Sequence, residues 1–349
     1  MLPVRTESIG AMKTTMYREA AEAPDCVENQ LQRNAKTLSA LAGRLRAHPP
    51  AAMVTIGRGS SDHAATYARY LVETRLGVLT SSLSPSIFSV FKAPLSLKNM
   101  LCLVISQSGR SPDLLAAAGA ARDSGAIVVA LVNDPASPLT EIASIVLPQG
   151  AGLEKSAAAT KSFITSLSAI AQMVALWSGD EALQSALPHL PSSLAQAWEE
   201  DWSPCREWLR SADHLYTVGR GLHLGIAWEA AHKLKETCMI HAEAYSSAEV
   251  LHGPNELAGK NFPVLLFRSE DATDASVQDA AGRLRAQGAS VMMAGGGDPA
   301  ALPVPRAPHP ALAPILQIQA FYRMANALAC DRGHDPDRPR HVQKVTHTV

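Results

Sequence analysis

The sequence predicts an α/β protein made of two tandem, doubly wound parallel-sheet domains related by internal duplication. Three observations carry this expectation. A glycine turn, "TIGRGSSDH" at Thr55 to His63, returns as "TVGRGLHLG" at Thr217 to Gly225. The offset of 162 residues that lays Thr55 on Thr217 also lays "CLVIS" (Cys102 to Ser106) on "VLLFR" (Val264 to Arg268). Without a gap it further lays "IVVA" (Ile127 to Ala130) on "ASVM" (Ala289 to Met292). Strand-like runs that recur in one order and spacing are most simply a duplication.

Within each copy, short Val/Ile/Leu-rich runs alternate with longer amphipathic ones. The first copy reads "AAMVTIG", "SDHAATYARYLVETRLG", "NMLCLVIS", "PDLLAAAGAARDSG" and "AIVVALVN". The second reads "HLYTVG", "LGIAWEAAHKLKE", "FPVLLF", "ASVQDAAGRLRAQG" and "ASVMMAG". Strands apolar on both faces and separated by helices imply a parallel sheet covered on both sides. The expected organisation is a lead with the start of the first helix (residues 1–34), a first domain (35–195), a second domain (196–333) and a tail (334–349). A helix over "LAPILQIQAFYRMANALA" would anchor that tail, which closes over the active site.

Composition bounds the function. A chain of 349 residues holds about two domains, and 47% hydrophobic with 18% charged residues is ordinary for a globular protein. The 31 Lys+Arg against 32 Asp+Glu leave a net charge of -1, so no global field favours nucleic acid or an anionic membrane. The opening residues lack the apolar core of a signal peptide, and no run approaches the roughly 18 apolar residues of a membrane span. A cytoplasmic protein is expected. Five scattered cysteines without a CxxC pair read as free thiols, Cys102 as a small core residue of its strand.

In doubly wound sheets ligands bind beyond the carboxyl ends of the strands, where both Gly-Arg-Gly turns lie. Gly57 and Gly59 permit close backbone approach, and the helix that follows offers unpaired N–H groups to a phosphate or carboxylate. "GRGSS" alone is equally a glycine turn with a serine N-cap. A second cluster, "SQSGRSPD", sets Ser106, Ser108 and Ser111 around Gly109, with Pro112 suited to a helix's first turn. Two such hydroxyl turns favour an anion site. No GxxxxGK[ST] is present, and neither turn has the third glycine of GxGxxG, so nucleotide readings are poor.

"TIGRGSSDHAATYARYL", "VISQSGRSPDLLAA", "AGLEKSAAATKSF", "GRGLHLGIAWEAAHKLKETCMIHAEAYSSAEVLHGPNEL" and the tail "DPDRPRHVQKVTHTV" together resemble the sugar isomerase (SIS) domain pair of glucosamine-6-phosphate synthase, a flavodoxin-like fold. The synthase adds an N-terminal glutaminase domain, and here a short lead precedes the pair. The chain is therefore expected not to hydrolyse glutamine and to resemble the second class of glucosamine-6-phosphate deaminase. The resemblance implies phosphorylated amino sugars as partners: glucosamine 6-phosphate converted, with water, to fructose 6-phosphate and ammonia.

The resemblance also implies roles. Ser60, Ser61, Ser106, Gln107, Ser108 and Ser111 match phosphate and hydroxyl contacts. Ala157 and Ala159 match a sugar-contacting loop, Ala159 replacing the synthase's serine. Glu236 matches the carboxylate that carries a proton between C2 and C1, with Lys233 three residues before it on one helix face. An isolated Lys–Glu pair at this spacing is more often a surface pair. His252 matches the ring-opening histidine, which in the family arrives from the neighbouring subunit and implies a homodimer. Lys344 matches a lysine that forms a Schiff base with the ketose carbonyl. No metal is expected, since His63, His223 and His241 lack HxH or HExxH spacing, and no cofactor is needed because the sugar carbonyl is the electron sink. A deglycase for a phosphorylated Amadori amine, a plain aldose–ketose isomerase and a non-enzymatic phosphosugar sensor are the alternatives.

Overall fold

The computed structural model describes residues 10–296, 300–341 and 344. They form two compact units: residues 24–153 with 162–191, and residues 10–23 with 154–161 and the described part of 192–344. The remaining tail residues, 342, 343 and 345–349, lie outside the described residues.

The first unit carries a five-stranded sheet in the order β2-β1-β3-β4-β5, from β1 (Met53–Ile56), β2 (Thr80–Ser82), β3 (Leu101–Ser106), β4 (Ile127–Val132) and β5 (Ile145–Pro148). All neighbouring strands are parallel. Every residue of β3 is buried, and all but the first of β4, which is why both read as unbroken apolar runs. Val54, Ile56, Cys102, Val104 and Val128 pack with Leu114, Ala117, Ala118 and Ala121 of the helix Pro112–Asp123. Small residues on that helix let it lie close to the sheet.

The second unit carries four parallel strands in the order β7-β6-β8-β9: β6 (His214–Gly219), β7 (His241–Ser246), β8 (Pro263–Phe267) and β9 (Ser290–Ala294). Its core sets Tyr216, Val218, Val264 and Leu266 against Val277, Ala280, Ala281 and Leu284 of the helix Asp274–Ala286. The helix Ala313–Asp331 belongs to this unit and is buried along nearly its whole length.

Strand register bears on the duplication. Met53 pairs with Thr80 and Leu215 with Ala242, while Thr55 pairs with Leu103 and Thr217 with Leu265, so the offset of 162 holds across three strands of each sheet. It fails at the fourth. Leu103 faces Val129 but Leu265 faces Met292, so Ile127 corresponds to Ser290 and the gapless match to Ala289 is one residue out. The crossover helix Asp274–Ala286 has 13 residues where Pro112–Asp123 has 12. Keeping the gapless register would turn every β9 side chain to the other face of the sheet.

β2 and β7 escape sequence reading because they are edge strands. β2 is three residues long with two exposed serines, and β7 exposes the polar side chains of His241 and Glu243. The counterpart of β5 is reduced to one bridge, Ala294 to Leu302. The five cysteines are free, with Cys102, Cys205 and Cys238 buried. Among the described residues no helix is long and apolar enough to cross a membrane.

Candidate functional site

In the first unit, the two hydroxyl turns follow β1 and β3, and the pairing of Ile56 with Val104 sets these strand ends side by side. Gly57 has no room for a side chain, since a Cβ there would lie 2.9 Å from the carbonyl carbon of Ser61. Gly59 takes φ +55°, a left-handed conformation that favours glycine. The chain thereby enters the helix Ser60–Leu76 abruptly, with Ser60 and Ser61 half-buried in its first turn. In the second turn the Ser106 Oγ accepts the Gly109 N–H at 2.9 Å, and Gly109, at φ +62°, sits against Ser137. Ser111 occupies the N-cap position of the helix Pro112–Asp123; Gln107, Ser108 and Ser111 are half-buried.

Sequence reasoning missed the contact that joins these turns. Arg58 donates through Nη2 at 3.0 Å and Nε at 3.3 Å to Asp113, whose carboxylate is fully buried. Asp113 also accepts the Leu114 N–H at 2.8 Å. The arginine between the glycines is thus a strut, and its signal was the acidic residue following Ser-Pro. Arg110 pairs with Asp134 at 2.7 Å, holding that carboxyl below its usual range. With both arginines engaged, hydroxyls and helix N-terminal amides are the groups left to meet an anion.

In the second unit, the helix Leu224–Cys238 puts Glu229, Lys233 and Glu236 on one face by their spacing. Lys233 is 1% exposed and donates to Glu236 at 2.5 Å, with Glu229 at 3.7 Å. This is a buried pair, against the surface reading. Burial alone would depress the Lys233 pKa, but Glu229 and Glu236 outweigh it, and the ammonium is held above its ordinary range. Tyr322, from the helix Ala313–Asp331, donates to Glu229 at 3.0 Å. Burial first, and then Glu229, push the Tyr322 phenol well above its usual pKa. The Lys233 ammonium is thus shared between two carboxylates, Glu229 and Glu236.

Lys344 joins the same unit. Its Nζ donates to the Ser156 carbonyl at 2.6 Å and lies 3.5 Å from Glu154, a fully buried carboxylate that accepts the Thr160 N–H at 2.9 Å. The tail is held upstream by Asp337, which accepts the Thr15 and Met16 N–H groups at 2.6 and 2.7 Å, at the N-terminus of the helix Thr15–Ala21. Charge-assisted bonds of this kind contribute about 1.5–3 kcal/mol each. Ala157 and Ala159, half-buried, lie on the loop that Lys344 touches.

Among the predicted residues, then, Lys233 meets Glu236, and Lys344 meets the loop of Ala157 and Ala159. His252 stands apart. It is exposed, following the short turn Glu249–Leu251. Glu229 was legible four residues before Lys233; Glu154 and Tyr322 carried no such signal.

The SIS domain family model matches residues 50–176 and 208–294, and the chain belongs to this family. The glutamine–fructose-6-phosphate aminotransferase (isomerizing) of Symbiobacterium thermophilum is 33% identical over 327 residues, covering 87% of this chain and 52% of that protein. The chain spans about half the length of the curated relatives it matches. A solved structure from Silicibacter pomeroyi DSS-3, provisionally named a phosphosugar isomerase, is 43% identical with a TM-score of 0.88, over 93% of this chain and 100% of that one. Glucosamine-6-phosphate deaminase of Thermotoga maritima, 20% identical with a TM-score of 0.78 over 96% of this chain and 100% of that one, shares the fold.

Proposed function

We propose that the chain is a phosphosugar aldose–ketose isomerase that converts glucosamine 6-phosphate and water to fructose 6-phosphate and ammonia. The observation that carries the reading is the buried Lys233–Glu236 pair, in one unit with a C-terminal lysine docked on the Ala157–Ala159 loop. The family match and the phosphosugar in the relatives' names support the substrate class.

On this reading Ser60, Ser61, Ser106, Gln107, Ser108 and Ser111 bind the 6-phosphate, and His252, supplied by the second subunit of a homodimer, assists ring opening. Glu236 then moves the C2 proton to C1, with the Lys233 ammonium stabilising the developing oxyanion. The product is a 2-imine bearing a C1 hydroxymethyl group. Lys344 attacks C2 of that imine, the C2–N bond to the substrate nitrogen breaks, and ammonia leaves; water then cleaves the Lys344 Schiff base to the ketose.

The test is ammonia and fructose 6-phosphate release from glucosamine 6-phosphate without glutamine, with galactosamine 6-phosphate and a phosphorylated fructosamine alongside. Release from the first substrate is expected. Turnover of the fructosamine alone makes the protein a deglycase, and silence on all three rejects the proposal. Glu236→Gln is expected to lower kcat at least about 100-fold, the usual contribution of general acid–base catalysis; a loss under about tenfold would remove Glu236 from the proton-transfer role. Inactive His252→Ala and Lys344→Ala dimers, mixed under proven subunit exchange, are expected to regain activity if His252 crosses the interface.

A further inference from the structure

Glu19 lies in the helix Thr15–Ala21, 5% exposed, and no sequence motif singles it out. Its carboxylate accepts two consecutive backbone N–H groups, Lys155 at 2.5 Å through Oε1 and Ser156 at 3.1 Å through Oε2. Burial raises the Glu19 pKa, and these two amides offset part of the rise. A buried carboxylate is costly unless its oxygens are occupied, and here both oxygens are spent on one short stretch of loop.

The next peptide unit along that loop, Ser156–Ala157, is where the C-terminal tail arrives. The Ala157 N–H donates to the Asp337 carbonyl at 3.3 Å, and the Ser156 carbonyl receives the Lys344 Nζ at 2.6 Å. Both ends of this peptide group therefore face the tail, while Glu19 fixes the two amides that precede it. A lysine has four rotatable side-chain bonds, so its amine is placed only as well as the acceptor it meets.

We propose that Glu19 is a positioning residue for Lys344, acting by orienting the Ser156 carbonyl on which the amine is seated. The inference rests on the reading of Lys344 as the amine that attacks the sugar carbon, and its test separates the two. In Glu19→Gln the side-chain NH2 faces one of the two backbone N–H groups, so one of the two bonds is lost. The probe is acetic anhydride on the full-length protein, with acetylation of Lys344 and of the exposed reference Lys13 followed by peptide mass spectrometry, beside kcat and KM for glucosamine 6-phosphate.

Expected for Glu19→Gln are a several-fold rise in Lys344 acetylation relative to Lys13, a fall in kcat of about 10–100-fold from misplacement of a reacting group, and an almost unchanged KM. Glu19→Asp, too short to reach both amides, falls between it and the parent. Unchanged Lys344 acetylation in a Glu19→Gln protein that melts like the parent overturns the proposal. Should that variant fail to fold, Glu19→Asp is read by the same criterion. Altered acetylation in a protein whose parent has no activity on the sugar upholds the positioning contact and removes the proposed reaction.

Discussion

The turn Gly57–Ser61 and the turn Gly219–His223 share a backbone and a Gly-Arg-Gly tripeptide and differ in the two residues that follow it. Gly59 and Gly221 take φ +55° and +56°. A Cβ on Gly57 or Gly219 would strike the main chain of the residue four positions on, Ser61 at 2.9 Å or His223 at 2.3 Å. Where the first turn presents two half-buried serines, the second has Leu222 and a fully buried His223. The loops after β3 and β8 diverge in the same sense. Ser106 to Ser111 offers hydroxyls, whereas in the second loop Asp271 accepts the Thr273 N–H at 2.8 Å and hydroxyl at 2.6 Å, and Asp274 accepts Arg268 at 2.7 Å. Burial would raise the Asp271 pKa, but the Thr273 bonds outweigh it and keep it low. The second loop thus carries carboxylates where the first carries hydroxyls, so duplication preserved the strand–turn–helix scaffold while the side chains on it diverged.

The contrast is sharpest in ligand affinity. Replacing Ser106 and Ser108 together by Ala should lower kcat/KM for a sugar phosphate by about 100-fold or more, since hydrogen bonds to a charged group contribute about 1.5–3 kcal/mol each. The matching changes Ser269→Ala and Thr273→Ala should leave it within about twofold. Equal losses would erase the distinction between the copies. Next come the shared glycines. Alanine at either Gly57 or Gly219 should destabilise by about 1–3 kcal/mol in urea unfolding, more at Gly219 because its clash is with a carbonyl oxygen at 2.3 Å. A larger cost at Gly57 would contradict the geometry.

His223 should show in acid stability. Burial lowers its pKa from the ordinary 6.5 to about 4, with Asp271 and Asp274 opposing, and neither ring nitrogen has a hydrogen-bond partner among the described residues. The unfolded chain binds the proton first, so stability present above about pH 6.5 is lost as pH falls toward 4. At pH 5 this one residue costs about 2 kcal/mol. His223→Leu should flatten the stability difference between pH 7 and pH 5 by that amount; an unchanged slope would show the imidazole is not the responsible group. The smallest effect belongs to the strut. Arg58→Ala leaves buried Asp113 without its cation, expected to cost about 1 kcal/mol and to raise KM modestly, whereas Arg220→Ala should do neither.

Much of this architecture was legible because its signals are local. β3, β4 and β8 are buried at nearly all positions and read as apolar runs, and the glycine turns showed themselves by backbone demands that no other residue meets cheaply. The edge strands β2 and β7 were not, because an edge needs no apolar face. The register slip at β9 was invisible because the extra residue lengthens the crossover helix at its C-terminal end, leaving the amphipathic pattern before it intact. At the candidate site, Lys233 and Glu236 were readable from helical spacing. The Arg58–Asp113 strut, Tyr322 on Glu229, and the contacts of Glu154 and Glu19 join residues far apart in the chain.

The sequence by itself determined the α/β class, the duplication, the two hydroxyl turns and the helical Lys–Glu pair, because each is written in a period, a glycine or a spacing within one element. Tertiary structure alone decided that Lys233 is buried between two carboxylates, that the acids of the second loop bond Thr273 and Arg268, and that Lys344 is seated on a loop held by Glu19. Burial and the meeting of distant side chains are products of packing. No local pattern encodes them, since each depends on which segments the closed core brings within hydrogen-bond reach.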